Sequence, residues 1–177
     1  MKVYLRAFET EDYLLINKWR NDESVNEFLG GNKFYVSKER EKQWVEQVMK
    51  NDNKDLYFAI CLKENDEMIG YTSINNIDLR NQKAEWGGTI IGEKEHRGKG
   101  CAKESVKLML EHLFTEYLIH RCYGYCLEEH PVTVSLLKSL GFKKEGLLRD
   151  DVYKGGKFHN KLVYSILREE YIKSNKI

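Results

Sequence analysis

Apolar and polar positions change period several times along this chain, and each change marks an element. Residues 3–8 alternate and predict a first strand. Thr10 stands where a cap is wanted, ahead of a helix that directs Tyr13, Leu14, Ile16 and Trp19 toward the core. Asn21-Asp22 ends it, Ser24 to Phe28 predict a short further turn of helix, and Gly30-Gly31-Asn32 reads as a loop. Ser37 caps a second amphipathic helix with Trp44, Val45 and Val48 as its buried stripe. Three strands follow over 56–62, 68–74 and 84–91, joined by the polar turns 63–67 and 80–82, which makes them an antiparallel meander. A helix carrying Val106, Leu108, Met109, Leu110, Leu113 and Phe114 then crosses to a strand over 121–127, which is therefore parallel to its predecessor. Pro131 opens another helix, which runs through Leu136, Leu137 and Leu140 and stops at Gly141. Phe142 begins a strand, 154–157 is a hairpin turn, 158–167 is the last strand, and the charged tail 168–177 is expected to fray. The order β-α-α-β-β-β-α-β-α-β-β describes a single α+β domain over 1–177, with no repeat or linker.

Composition narrows what such a domain can do. Basic residues number 29 and acidic residues 28. That balance argues against nucleic-acid binding, which favours a basic excess. No apolar run reaches the length of a membrane span, and residues 1–7 lack the apolar core of a signal peptide. Cys61, Cys101, Cys122 and Cys126 lie on apolar segments and form no CxxC pair. They read as reduced core thiols of a cytoplasmic protein rather than as disulfides or metal ligands.

Candidate chemistry concentrates in Arg97-Gly98-Lys99-Gly100-Cys101-Ala102, between an apolar strand and a long helix. Such a turn can aim several backbone N–H groups at one point, where the helix dipole also favours an anion. Glycine lets a phosphate approach the backbone, and Arg97 and Lys99 add positive charge. The residues suggest a pyrophosphate cradle. A Walker loop needs GxxxxGK[ST], which is absent. A dinucleotide fingerprint needs a third glycine where Lys103 stands, and a parallel sheet before it.

Arg97, Gly100 and Ala102 match the pattern [RQ]-x-x-G-x-[GA], which resembles the coenzyme A cradle of the GNAT superfamily of acetyl-CoA-dependent N-acetyltransferases. Other segments resemble the same family: the opening at 5–12, Ala84-Glu85-Trp86-Gly87 before the cradle, Leu140-Gly141-Phe142 after the next helix, Glu145-Gly146, and Gly156 to Asn160. Together they cover most of the chain and look most like the branch of ribosomal-protein N-terminal and spermidine/spermine acetyltransferases. The resemblance implies the GNAT fold, a central mixed, mostly antiparallel twisted sheet of about seven strands flanked by about four helices. It also implies acetyl-CoA as co-substrate, no metal, a primary amine or peptide N-terminus as acceptor, and a homodimer as a family-level expectation.

Residue roles carried over by that resemblance are as follows. Ile90, Ile91 and Gly92 would hydrogen-bond the pantetheine arm, and the amides of Arg97, Gly98, Lys99, Gly100, Cys101, Ala102 and Lys103 would hold the pyrophosphate. Acetyl transfer would be direct, in a ternary complex. Glu85, on the strand before the cradle, is the candidate general base, with an amine anchor and a structural carboxylate as its other readings. The family's Asn-x-x-[AS] appears here as His130-Pro131-Val132-Thr133, so His130 and Thr133 would contact the cofactor. Leu137 occupies the usual place of a tyrosine acid, which leaves Thr133 as the leading donor to the departing thiolate and Ser135 as a weaker one. Cys101 and Cys126 read as packing residues, and His96 as a loop histidine. Asp22, Glu23 and Glu27, with Trp19, Phe28, Phe34, Tyr35 and Trp44, fall in the third of the chain that frames the acceptor in this family. The changes at 130 and 137 motivate a second hypothesis, a non-catalytic acyl-CoA-binding regulatory module on the same fold. A plain nucleotide-binding domain is a third.

Overall fold

Short polar turns make sequential strands antiparallel and a crossing helix makes them parallel, and the sheet follows both rules. The computed structural model describes residues 1–27, 29, 35–50 and 54–175. The strands are β1 (Val3–Arg6), β2 (Leu56–Leu62), β3 (Met68–Asp78), β4 (Lys83–Ile91), β5 (Arg121–Leu127), β6 (Lys143–Lys154) and β7 (Lys157–Leu167). They form one seven-stranded sheet in the order β1-β2-β3-β4-β5-β7-β6. Only β4 and β5 pair in parallel. Gly155 and Gly156, with φ of 58° and 82°, make the tight turn between β6 and β7.

The helices are α1 (Tyr13–Arg20), α2 (Glu23–Asn26), α3 (Lys38–Met49), α4 (Cys101–Glu116), α5 (Pro131–Ser139) and α6 (Arg168–Asn175). α1 and α3 cover one face, closing over Phe8, Ile16, Trp19, Val45, Ala59, Cys61 and Met68. α4 and α5 cover the other, where Val106, Met109, Leu110, Leu113 and Phe114 meet Ile74, Ala84, Trp86 and Leu137. Burying each such side chain stabilises the fold by roughly 1.5–3 kcal/mol. Among the described residues no helix is long and apolar enough to cross a membrane, and no group of three or more His, Cys, Asp or Glu side chains could hold a metal.

The expected α+β architecture is present, with local differences. Six helices stand among the described residues, against about four expected; the short α2 falls where a further turn of helix was expected, and the C-terminal α6 is the addition. The tail does not fray over 168–175: Tyr171 is buried against Phe114 and donates to Lys107 O, and Arg168 Nε reaches Phe114 O at 3.0 Å. Thr10 is not the cap. A 3-10 turn over Thr10–Asp12 precedes α1, with Glu9 and Asp12 forming a reciprocal capping box. Leu14 is 47 % exposed, because Ile16 and Trp19 already fill the buried stripe. Gly30, Gly31, Asn32, Phe28 and Phe34 lie outside the described residues.

The Glu145-Gly146 pair has a structural use. The Glu145 carboxylate accepts from Arg121 at the start of β5 and from Ser165 on β7, and these hydrogen bonds pull its pKa from 4.5 down to about 2. A carboxylate with a depressed pKa stabilises the fold above its unfolded value and loses that contribution as the pH falls toward the folded one. Acid titration of stability should therefore show a component between about pH 5 and pH 2 that Arg121→Met removes; an unchanged acid limb in the variant would contradict it. A second expectation concerns the β3–β4 contact. A Cβ on Gly70 would lie 2.0 Å from the Ile90 carbonyl oxygen, whereas one on Gly146 would meet nothing within 4 Å. Urea unfolding should show Gly70→Ala destabilised by about 2 kcal/mol or more, and Gly146→Ala changed by less than about 0.5 kcal/mol.

Candidate functional site

The parallel ladder between β4 and β5 is short. It joins Lys83, Ala84, Glu85 and Trp86 to Arg121, Cys122, Tyr123 and Gly124, and there it stops. β5 continues along β7, with Tyr125, Cys126 and Leu127 paired to Val163, Leu162 and Lys161. β4 turns away instead. The β3–β4 register slips between Ser73 and Ile74, leaving Gly87 as the extra residue of a bulge, and Gly88 follows with φ of 105°. A Cβ at Gly87 would lie 2.2 Å from Ser73 Oγ and 2.5 Å from Asn75 Nδ2, so those side chains would have to move to admit one. Beyond Trp86 the edge of β4 that faces β5 has no strand partner, and its peptide groups are available to an extended ligand that carries amides.

The chain leaves β4 through Gly92 and a 3-10 turn at Lys94–His96, then enters α4. Gly98 and Gly100 have φ of 74° and 89°, and a Cβ on either would meet nothing within 4 Å. The Arg97 N–H donates to Lys94 O and the Glu104 N–H to Gly100 O, yet no amide from Gly98 to Lys103 donates to another backbone or side-chain group among the described residues. Those amides lie at the N-terminus of α4, which runs to Glu116. Nothing repels an anion there from the first turn, because the Glu104 carboxylate turns away to accept from the amides of Lys2 and Val3.

Arg97 differs from its expected use. Its guanidinium folds back, donating to the carbonyls of Ile91 and Gly92 at 2.9 Å and to Ser24 Oγ at 3.1 Å. It ties the end of β4 to α2 rather than projecting into the cradle. Gly92 is likewise engaged, its N–H donating to Ile69 O at 2.8 Å. A Cβ there would lie 2.1 Å from the Trp19 ring. Cys101 is buried in a small cluster with Val3, Ile60, Leu62 and Ile69, so it packs. Lys99 is exposed, and Ala102, Lys103 and His96 are half-buried.

α5 begins just beyond the C-terminal end of β5, the end at which the strands have parted. His130 is its N-cap residue, Pro131 follows, and Thr133 sits half-buried in the first turn. Burial, and then Lys154, lower the pKa of His130 and keep its imidazole neutral. Leu137 is wholly buried in the core, and Ser135 is exposed. Burial pushes the Cys126 thiol up to about 11 and that of Cys122 to about 12, so neither is a ready nucleophile.

Glu85 lies in the paired part of β4, in register with Asn75 and Tyr123, and its Oε2 accepts from Asn76 Nδ2 at 2.9 Å. It stands roughly 15 Å along the strand from Ile90 at the usual rise. Ile90 lines a cavity of about 290 Å³ between α1, α2, α3 and the sheet, with Arg20, Arg40, Glu41, Trp44 and Tyr71. Of the aromatic residues expected on this side, Trp44 reaches the cavity. Trp19 is buried and donates to Glu93, and Tyr35 is 97 % exposed. Asp22 caps α2 through the Ser24 N–H and pairs with Lys94, while Glu23 and Glu27 are exposed. Glu41 escaped the sequence reading. The signal was present: it precedes Trp44 and Val45 by three and four residues, which puts a carboxylate on the buried stripe of α3.

The family model for the acetyltransferase (GNAT) domain matches residues 2–143. An uncharacterized N-acetyltransferase, p20, of Bacillus licheniformis is 32% identical over 171 residues, covering 96% of this chain and 95% of its own. The spermidine N(1)-acetyltransferase of Vibrio cholerae is 26% identical over 168 residues, 95% of this chain and 94% of its own. The crystal structure of a spermidine N-acetyltransferase from Vibrio cholerae, in complex with CoA and spermine, superposes with a TM-score of 0.87 at 24% identity. That match covers 97% of this chain and 98% of the other. Hydrogen bonds to a charged donor contribute about 1.5–3 kcal/mol. Arg97→Met should therefore lower unfolding stability by about 2 kcal/mol in urea titration; a change within error would mean that the guanidinium does not hold the end of β4.

Proposed function

The chain belongs to the acetyltransferase (GNAT) domain family, and from that premise we propose that it moves the acetyl group of acetyl-CoA directly to a primary amine with both substrates bound. The observation that carries this reading is one coincidence at one end of the sheet. The open edge of β4 and the undonated amides from Gly98 to Lys103 stand next to each other. A ligand that joins an amide-bearing arm to a pyrophosphate fits both.

Bound acetyl-CoA supplies a thioester carbonyl and a thiolate leaving group. In this reading the amides of Gly98, Lys99, Gly100, Cys101, Ala102 and Lys103 hold the pyrophosphate, with the side chains of Lys99 and Lys103 adding charge. Ile90 and Ile91 align the arm. Gly92 and Arg97 act one step back, by keeping the strand end where it is. As the amine nitrogen bonds to the acetyl carbon, the C–S bond breaks and sulfur keeps the electron pair. Thr133 Oγ1 donates a hydrogen bond to that sulfur, and solvent supplies the proton that finally neutralises the thiolate. Glu85 accepts the amine's proton, through water. Small amines are the acceptors favoured by the spermidine acetyltransferases among the relatives, and a peptide N-terminus is the other class.

Thiol release from acetyl-CoA across a panel of amines tests this reading. Amine-dependent release is expected. Tight binding of acetyl-CoA with no turnover on any amine would instead make the protein an acyl-CoA-binding regulatory module. If Glu85 handles the amine proton, Glu85→Gln should cut turnover by about a hundredfold below the amine pKa, less above it, with CoA affinity nearly unchanged. A pH–rate profile parallel to that of the parent chain would remove Glu85 from that role.

A further inference from the structure

α2 is a single turn of helix, four residues long, and a helix that short is not stable alone. It is held at both ends. At its start Asp22 caps it and pairs with Lys94 at 3.3 Å, and Ser24 Oγ accepts from Arg97 at 3.1 Å. Lys94 and Arg97 both stand in the turn that follows β4. At its end the last carbonyls have no partner within the helix. Lys154, the last residue of β6, supplies one: its Nζ donates to Asn26 O, to Glu27 O at 2.9 Å and to Leu29 O at 2.6 Å. An ammonium carries three N–H donors on one atom, which suits carbonyls that converge on a point, and a cation is favoured at a helix C-terminus.

Lys154 is itself fixed. Its carbonyl oxygen lies 3.1 Å from His159 Nε2 on β7, and His159 Nδ1 lies 3.2 Å from Glu129 Oε1, next to the N-cap of α5. The hairpin is thereby joined to the connection between β5 and α5, and through Lys154 to α2. α2 in turn reaches the ends of both strands that part. Val25, Asn26 and Leu29 line a cavity with Ile90 of β4, and Glu27 and Lys154 line another with Leu127 of β5. One turn of helix, tied to the β4 side by Lys94 and Arg97 and to the hairpin by Lys154, thus crosses the gap between β4 and β5.

We propose that Lys154 is a positioning residue for acetyl transfer: by pinning the end of α2 to the β6–β7 hairpin, it holds α2 across the parted strands, where α2 keeps bulk water from the acetyl carbon and leaves the bound amine as the nucleophile. The proposal rests on the acetyl-transfer reading above and deepens it. Without the pin, water competes with the amine. The water oxygen bonds to the acetyl carbon, the C–S bond breaks with its electron pair on sulfur, and acetate and CoA leave. One water proton then goes to sulfur and the other to solvent.

Lys154→Met tests this, with Lys157→Met, exposed on the same hairpin, as the control for lost charge. Hydrogen–deuterium exchange at the amides of Ser24 to Glu27 should quicken about tenfold or more in Lys154→Met alone, while the β5 amides stay protected and report a folded chain. The CoA dissociation constant, by calorimetry, should stay within about twofold of the parent's, since the cradle amides are untouched. Thiol release from acetyl-CoA is then followed without amine, and with spermidine, a short peptide and the other amines of the panel. Release without amine should rise about threefold or more while amine-dependent release falls about tenfold, a change of partition that lost stability alone does not produce. Ser24→Ala, which frees α2 from Arg97, should move both rates the same way. Unchanged exchange at α2, faster exchange with the partition unaltered, or equal effects in Lys157→Met would each overturn the proposal. No amine-dependent release by the parent chain would sink the acetyl-transfer reading instead, and the release without amine would still decide the role of Lys154.

Discussion

The structure depends on one broken ladder. β4 and β5 pair only as far as Trp86 and Gly124, and the candidate cofactor-binding surface lies beyond that point. The break has a local cause, the bulge at Gly87 and the positive φ of Gly88. It also has supports. Met109 and Phe114 of α4 press on one face of the sheet, Trp19 presses on Gly92 from the other, and Arg97 ties the carbonyls of Ile91 and Gly92 to α2. A splayed pair of strands is unstable alone because it strands backbone polar groups. Held open by packing on both faces, it leaves its peptide groups available to an amide-bearing ligand.

What was readable in the sequence is what backbone conformation fixes. The cradle was legible because its requirement is steric. Positive φ and open approach at 98 and 100 demand glycine, and glycine is visible as a letter. The same holds for Gly141, whose φ of 87° ends α5, and for the turn at Gly155-Gly156. The seven strands were legible from alternation and from short turns.

What the sequence concealed depends on where long side chains go. Arg97 read as a phosphate ligand because it stands in the turn, but a guanidinium can fold back as easily as project, and two strand-end carbonyls were within its reach. α6 was concealed by its charge: a single buried tyrosine and a few hydrogen bonds to α4 suffice to dock it. Glu41 was concealed by the habit of counting only apolar letters on a helix stripe. Its spacing with Trp44 and Val45 puts it inside, and a carboxylate inside is a stronger sign of function than the exposed Glu23 and Glu27 that share its neighbourhood in sequence.

The proposed acetyl transfer requires that the thioester is delivered between the parted strands, beyond Trp86 and Gly124. Amide hydrogen–deuterium exchange with and without CoA reads that delivery residue by residue. CoA should slow exchange at the amides of Gly98 to Lys103 and along the β4 edge from Gly87 to Ile91, while leaving the β6–β7 hairpin unchanged. Binding without protection at those amides would contradict the account.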